Sequence, residues 1–233
     1  FLEGQGKRTG IYLDYNESGD LAQIGIASII PNPQPVAAET FQDKAFVYRN
    51  DDKNETVILA FNSNGTLEDF NNDFYNGGEQ TATYATAQWS LDEQTQTITE
   101  TYNNGETAQY KAAQSGVNLY WADPTDESEG IFTLKKTRSI IAETFIGSYT
   151  IDIPTENTRF NNLVVNENGD CSYSDTACQW TITESGKAQI SFSHDETAIG
   201  HIWQLAGSSD KFAFVITHTD NINDVEPGLM TRD

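Results

Sequence analysis

The side chains best able to do chemistry in this chain are oxygen donors gathered in three short acidic runs. The first reads Asp14-Tyr15-Asn16-Glu17-Ser18-Gly19-Asp20, the second Asp123-Pro124-Thr125-Asp126-Glu127-Ser128-Glu129, and the third Asp220-Asn221-Ile222-Asn223-Asp224-Val225-Glu226. Asp14, Asn16 and Ser18, followed by Gly19, match the opening of an EF-hand-type loop, where alternate side chains and a glycine turn wrap calcium. Gly25 stands where that loop needs a bidentate glutamate, and the flanks read as strands. Calcium is the candidate cofactor, with Asp14, Asn16, Asp20, Asp123, Asp126, Glu129, Asp220 and Asp224 as candidate ligands. The competing reading is plain solvated hairpin tips, which favour Asp, Asn and Ser in any case.

Other reactive residues are few. Cys171 and Cys178 fit neither a C-x-x-C redox pair nor a four-ligand zinc site, so a local disulfide is expected, and with it an oxidising compartment. Acidic neighbours, Asp170 and Asp175, would raise a thiol pKa rather than activate it. His194, His201 and His218 show no metal-binding spacing, and no Gly-x-Ser-x-Gly elbow exists. The chain is therefore expected not to be an enzyme. Trp89 and Trp180 read as core, whereas Tyr120, Trp121 and Trp203 are candidates for an exposed surface that stacks on a sugar.

Composition narrows the partners. The 233 residues carry 13 Lys+Arg against 35 Asp+Glu, a formal charge of -22, which repels phosphate backbones and anionic bilayers. Nucleic acid and membrane insertion are not expected, and no apolar run approaches the ~18 residues that span a bilayer. Phe1 follows neither a Met nor a signal-peptide pattern and is read as a processing boundary.

The elements that must position these residues repeat. Ala38-Glu39-Thr40-Phe41 recurs as Ala142-Glu143-Thr144-Phe145, and Phe61-Asn62-Ser63-Asn64-Gly65 meets Val165-Asn166-Glu167-Asn168-Gly169 at the same displacement of 104 positions. Ala87-Gln88-Trp89 and Cys178-Gln179-Trp180 follow in the same order. Short runs rich in Val, Ile, Thr and aromatics alternate with turns at Asn64-Gly65, Asn104-Gly105 and Asn168-Gly169, which predict type I′ hairpins. The reading is all-β: residues 38–141 and 142–233 as two tandem antiparallel barrel or sandwich modules, and 1–37 as the terminal hairpin of a preceding repeat.

A strand ending in Phe-Asn-x-Asn-Gly-Thr, then Trp-Ser-Leu, Thr-Ile-Thr and a closing Thr-Leu-Lys, resembles the lipocalin-like repeat modules of bacterial lipoproteins and surface proteins. That resemblance implies a meander of antiparallel strands and does not name a ligand. Asp170 and Cys171 depart from it, standing where the first copy has Thr66 and Leu67. The functional expectation is a non-catalytic repeat module of an extracellular, cell-surface or periplasmic protein, adhesive or structural, packed on neighbouring repeats. The alternative is a carbohydrate- or small-ligand-binding module beside an enzyme domain, with a glycan or cell-surface partner.

Overall fold

The computed structural model describes all residues except 1, 5–6, 16–20, 31, 51–54, 76–78, 125–130, 154–160 and 222–223, with backbone alone at 2–4, 7–15, 21–29, 50, 72–75, 79–82 and 161. Among the described residues the chain is strand almost throughout, as the all-β reading expected. β1 (Leu2–Gly4), β2 (Lys7–Tyr15) and β3 (Leu21–Ile29) make a separate antiparallel sheet in which Ile11 faces Ile26 across the ladder.

A second sheet holds sixteen strands. β4 (Lys44–Asn50), β5 (Glu55–Phe61), β6 (Thr66–Tyr75), β7 (Glu79–Asp92), β8 (Thr97–Tyr102), β9 (Thr107–Ser115), β10 (Asn118–Ala122) and β11 (Phe132–Arg138) pair in chain order. β11 then returns to β4, with Lys135 opposite Val47 and Lys136 opposite Phe46. β12 (Gly147–Asp152), β13 (Asn161–Val165), β14 (Asp170–Tyr173), β15 (Thr176–Ile182), β16 (Ala188–Phe192), β17 (Ala198–Leu205), β18 (Lys211–His218) and β19 (Val225–Arg232) follow the same order. Here β19 rejoins β12, from Tyr149 opposite Arg232 to Asp152 opposite Leu229. The result is an eight-stranded closed antiparallel barrel, with the other eight strands of the sheet tracing the same circuit. Among the described residues closure gives each strand of these circuits two neighbours. The two circuits are called the first and second rings below.

Each ring has a sealed end. Ala38–Thr40 forms one 3-10 turn and α1 (Ala142–Phe145) one α-helical turn. Their purpose is to drive one aromatic inward. Phe41 and Phe145 are both fully buried, at ring-centroid distances of 5.8 Å from Trp89 and 5.4 Å from Trp180. Each indole donates to the carbonyl of the asparagine that starts the neighbouring turn, Trp89 to Asn62 at 3.3 Å and Trp180 to Asn166 at 2.9 Å.

The Asn-Gly turns are present, but not as type I′. Gly65, Gly105 and Gly169 have φ of 85°, 85° and 87°, whereas Asn64, Asn104 and Asn168 keep negative φ. The Asn side chains instead accept the backbone N–H two residues on, at Thr66, Glu106 and Asp170. This is a longer loop in which glycine alone takes the left-handed position.

The rings share a wall. Outward side chains Ala45, Val47, Ile58, Ala60 and Phe70 of the first pack on Trp203, Leu205, Ala213, Val215 and Val225 of the second, forming a third buried cluster besides the two interiors. Thr137 and Arg138 extend β11 onto β17, opposite Leu205 and Gln204, and the Thr137 hydroxyl accepts the Ala45 N–H at 3.0 Å. Arg49 adds an ion pair to Asp152 at 3.7 Å.

Cys171 and Cys178 are disulfide-bonded across the β14–β15 hairpin, buried inside the second ring with Cα atoms 4.8 Å apart. Leu67 and Ala87 occupy the matching cross-strand pair in the first ring. The bond closes a short loop, so its removal should cost about 2–3 kcal/mol by loop entropy. Cys171→Leu with Cys178→Ala, which copies the first ring's pair, is expected to lose less than Cys171→Ser with Cys178→Ser. Equal losses in a urea titration would show that packing contributes nothing there.

Candidate functional site

Inward positions of the second ring are apolar: Tyr149, Ile151, Leu163, Trp180, Ile190, Phe192, Ile202, Phe212 and Phe214 all belong to one buried cluster. The first ring departs from this. Beyond its sealed end of Phe41, Phe46, Phe61 and Trp89 lies a cavity of about 210 Å³. β4 and β5 contribute Tyr48, Glu55, Val57 and Leu59 to its wall, and β6 contributes Asp69 and Asn71. β8 and β9 supply Glu100, Tyr102 and Tyr110, and β10 and β11 supply Trp121, Phe132 and Leu134.

The ladder registers show where the rings differ. Trp89 stands opposite Glu100 as Trp180 stands opposite Ile190, and Ala87 opposite Tyr102 as Cys178 opposite Phe192. Two residues beyond the Leu67–Ala87 and Cys171–Cys178 pairs come Asp69 and Tyr173. Where the second ring places Ile190, Phe192 and Tyr173, the first thus places Glu100, Tyr102 and Asp69.

These acids carry the marks of burial. Glu100 is 3% exposed, and loss of hydration pushes its pKa up to about 7, opposed by a hydrogen bond from Tyr102 and helped by the charge of Asp69. The Tyr102 hydroxyl donates to Glu100 Oε2 at 2.8 Å, and its own pKa is pushed up, first by burial and then by Glu100. Asp69 also lines the cavity, and burial raises its pKa to about 6. Asp69 Oδ1 and Asn71 Oδ1 have neither exposed surface nor a hydrogen-bond donor. The aromatic wall is ordered around them: Tyr110 and Trp121 lie 4.7 Å apart at 36°, and Tyr48 meets Phe132 edge-on at 5.4 Å. Such a site can hold a hydrogen-bond donor or a cation against aromatic faces, or move a proton between two carboxyls.

The residues singled out in sequence are dispersed. Trp121 lines the cavity, but Tyr120 is 2% exposed and Trp203, at 7%, belongs to the wall between the rings, so they form no exposed stacking platform. Asn16, Asp20, Asp126 and Glu129 lie outside the described residues, as does the side chain of Asp14. Asp123 is half-buried and follows Trp121-Ala122 at the cavity end of β10. In the third run Asp224 lies with Glu226 and His218, their ligand atoms within 4.8 Å of one another; Asp220 is not part of the group. Two carboxylates and an imidazole suit a first-row transition ion better than calcium, which takes six to eight oxygens.

The other histidines have structural surroundings. His201 is held neutral, its pKa pushed down to about 3 by burial and then by Lys187. Its Nε2 pairs with the Thr217 hydroxyl at 3.2 Å while its ring stacks on Trp203. His194 packs edge-on against Phe192.

Sequence reasoning missed Asp69, Asn71 and Glu100. The usable signal was the comparison of the two segments, because Thr99-Glu100-Thr101-Tyr102 has an acid where Gln189-Ile190-Ser191-Phe192 has an apolar residue. No protein-family model matches the chain, and no curated protein matches it.

Proposed function

We propose that the chain is a non-catalytic extracellular binding protein made of two duplicated modules, 38–141 and 142–233, in which the first module takes a small ligand inside its ring. Residues 1–37 are the end of a preceding copy. One observation carries this reading: at matched ladder positions the second ring is filled with Ile190, Phe192 and Tyr173, whereas the first opens a cavity walled by Asp69, Glu100 and aromatic rings. Matched Trp-to-Asn hydrogen bonds and matched sealing phenylalanines support duplication. A structural spacer has no need to bury two carboxyls, since each charge taken from water must be compensated. Binding is favoured over catalysis because the described wall carries no Ser, Thr, Cys, His or Lys to act as nucleophile or base beside the two carboxyls. The disulfide supports an oxidising, extracellular setting.

Ligand-observed NMR with a library of small fragments tests this. Wild type is expected to bind a subset, and Val57→Phe, which fills the cavity from β5, is expected to lose that subset while keeping its melting transition. An unchanged set of binders in Val57→Phe would exclude the cavity as the ligand site.

A further inference from the structure

We propose that the first-ring cavity is a seat for a small organic cation, an amine whose ammonium group lies among Asp69, Asn71 and Glu100 while its carbon skeleton rests on Tyr110 and Trp121. This rests on the reading of the cavity as the ligand site and adds the class of ligand.

Hydrogen bonding gives the first argument. Asp69 Oδ1 and Asn71 Oδ1 are two buried acceptors without a donor, and an acceptor left unmade in the interior costs free energy until a donor reaches it. An ammonium brings up to three donors and no acceptor. A sugar hydroxyl brings a single donor and no charge, and the Tyr102 hydroxyl is already committed to Glu100 at 2.8 Å.

Charge gives the second. Asp69 and Glu100 line the cavity, and among the described lining residues there is no Lys, Arg or His. A carboxylate or phosphate ligand would meet only like charge, while a cation would supply the missing counter-charge to groups whose ionisation burial opposes. The walls give the third. Tyr110 and Trp121, 4.7 Å apart, present aromatic faces of the kind that attract a desolvated cation. A bare divalent ion would instead need several ligand atoms converging on one point, and among the described residues the cavity's carboxylates do not form such a group.

Isothermal titration of the full chain at pH 8 with phenethylamine, with its neutral counterpart 2-phenylethanol, and with calcium chloride tests the assignment. Phenethylamine is expected to bind at least ten-fold more tightly than the alcohol. Asp69→Asn and Glu100→Gln should each weaken the amine ten-fold or more and leave the alcohol within three-fold. Both substitutions remove a buried charge, and circular dichroism would verify that the variants fold. Equal affinity for amine and alcohol, with both lost in Val57→Phe, would overturn the cation and leave the ligand cavity standing. No binding of either would overturn both. Calcium displacing the amine at equal concentration would overturn it in favour of a metal site.

Discussion

Glu100→Gln is expected to raise the melting temperature by roughly 5–10 °C at pH 8 and to leave it nearly unchanged at pH 5. In the folded protein Glu100 keeps its proton up to about pH 7, against an ordinary value of 4.5. Between those values the folded state binds more protons than the unfolded chain, so this group makes stability fall as pH rises. Above pH 7 the folded protein holds an ionised carboxyl in a poorly hydrated place, at a cost of about 3 kcal/mol. Glutamine keeps an oxygen to accept from Tyr102 and never ionises. His201 works in the opposite direction: held neutral down to about pH 3, it makes stability rise with pH between there and 6.5. Wild-type stability therefore mixes opposed slopes, falling with pH through Glu100 and Asp69 and rising through His201, and the difference between variant and wild type removes the Glu100 contribution. A difference that stays flat from pH 5 to pH 8 would show that Glu100 is hydrated like a surface acid.

The same cavity explains why the fold was legible in sequence and the site was not. Turn positions, paired tryptophans, sealing phenylalanines and the disulfide are local patterns whose meaning depends on a few adjacent residues. Asp69 and Glu100 are two among 35 acids, and nothing adjacent marks either as buried. On β6 the usual sense of alternation is also split: Leu67, Asp69 and Asn71 turn inward while Phe70 turns outward into the shared wall. A polar-in, apolar-out strand reads as its opposite unless the neighbour that buries the outer face is known. β5 shows the consequence, since Val57-Ile58-Leu59-Ala60-Phe61 is apolar on both faces because one lines the ring and the other meets the second ring. The second ring then acts as an internal reference. Its interior shows what the same ladder looks like when packing alone fills it, and the first ring's departures become visible by difference.

That shared wall sets the other large expectation. Trp203→Ala should lower stability by about 3–5 kcal/mol and separate the unfolding of the rings. Trp203 is 7% exposed and packs in one cluster with Ala45, Val47, Ile58 and Phe70 of the first ring, so truncation removes the largest side chain of that cluster and leaves a void between two curved surfaces. It also strips His201 of its stacking partner and Lys187 of the ring 5.5 Å beneath its ammonium. Leu205, Ala213, Val215 and Val225 would still face the first ring across the void, with the Arg49–Asp152 ion pair and the β11–β17 register beside them, a weakened contact that should no longer hold the two rings in one cooperative unit. Calorimetry should show one transition in wild type and two in the variant. The cavity lies inside the first ring's own wall, so amine affinity should stay within three-fold. Loss of ligand binding with an unaltered transition would instead place Trp203 in the binding surface that its sequence suggested. Trp121→Ala is the converse control: it should abolish binding in the cavity and leave the two rings melting together.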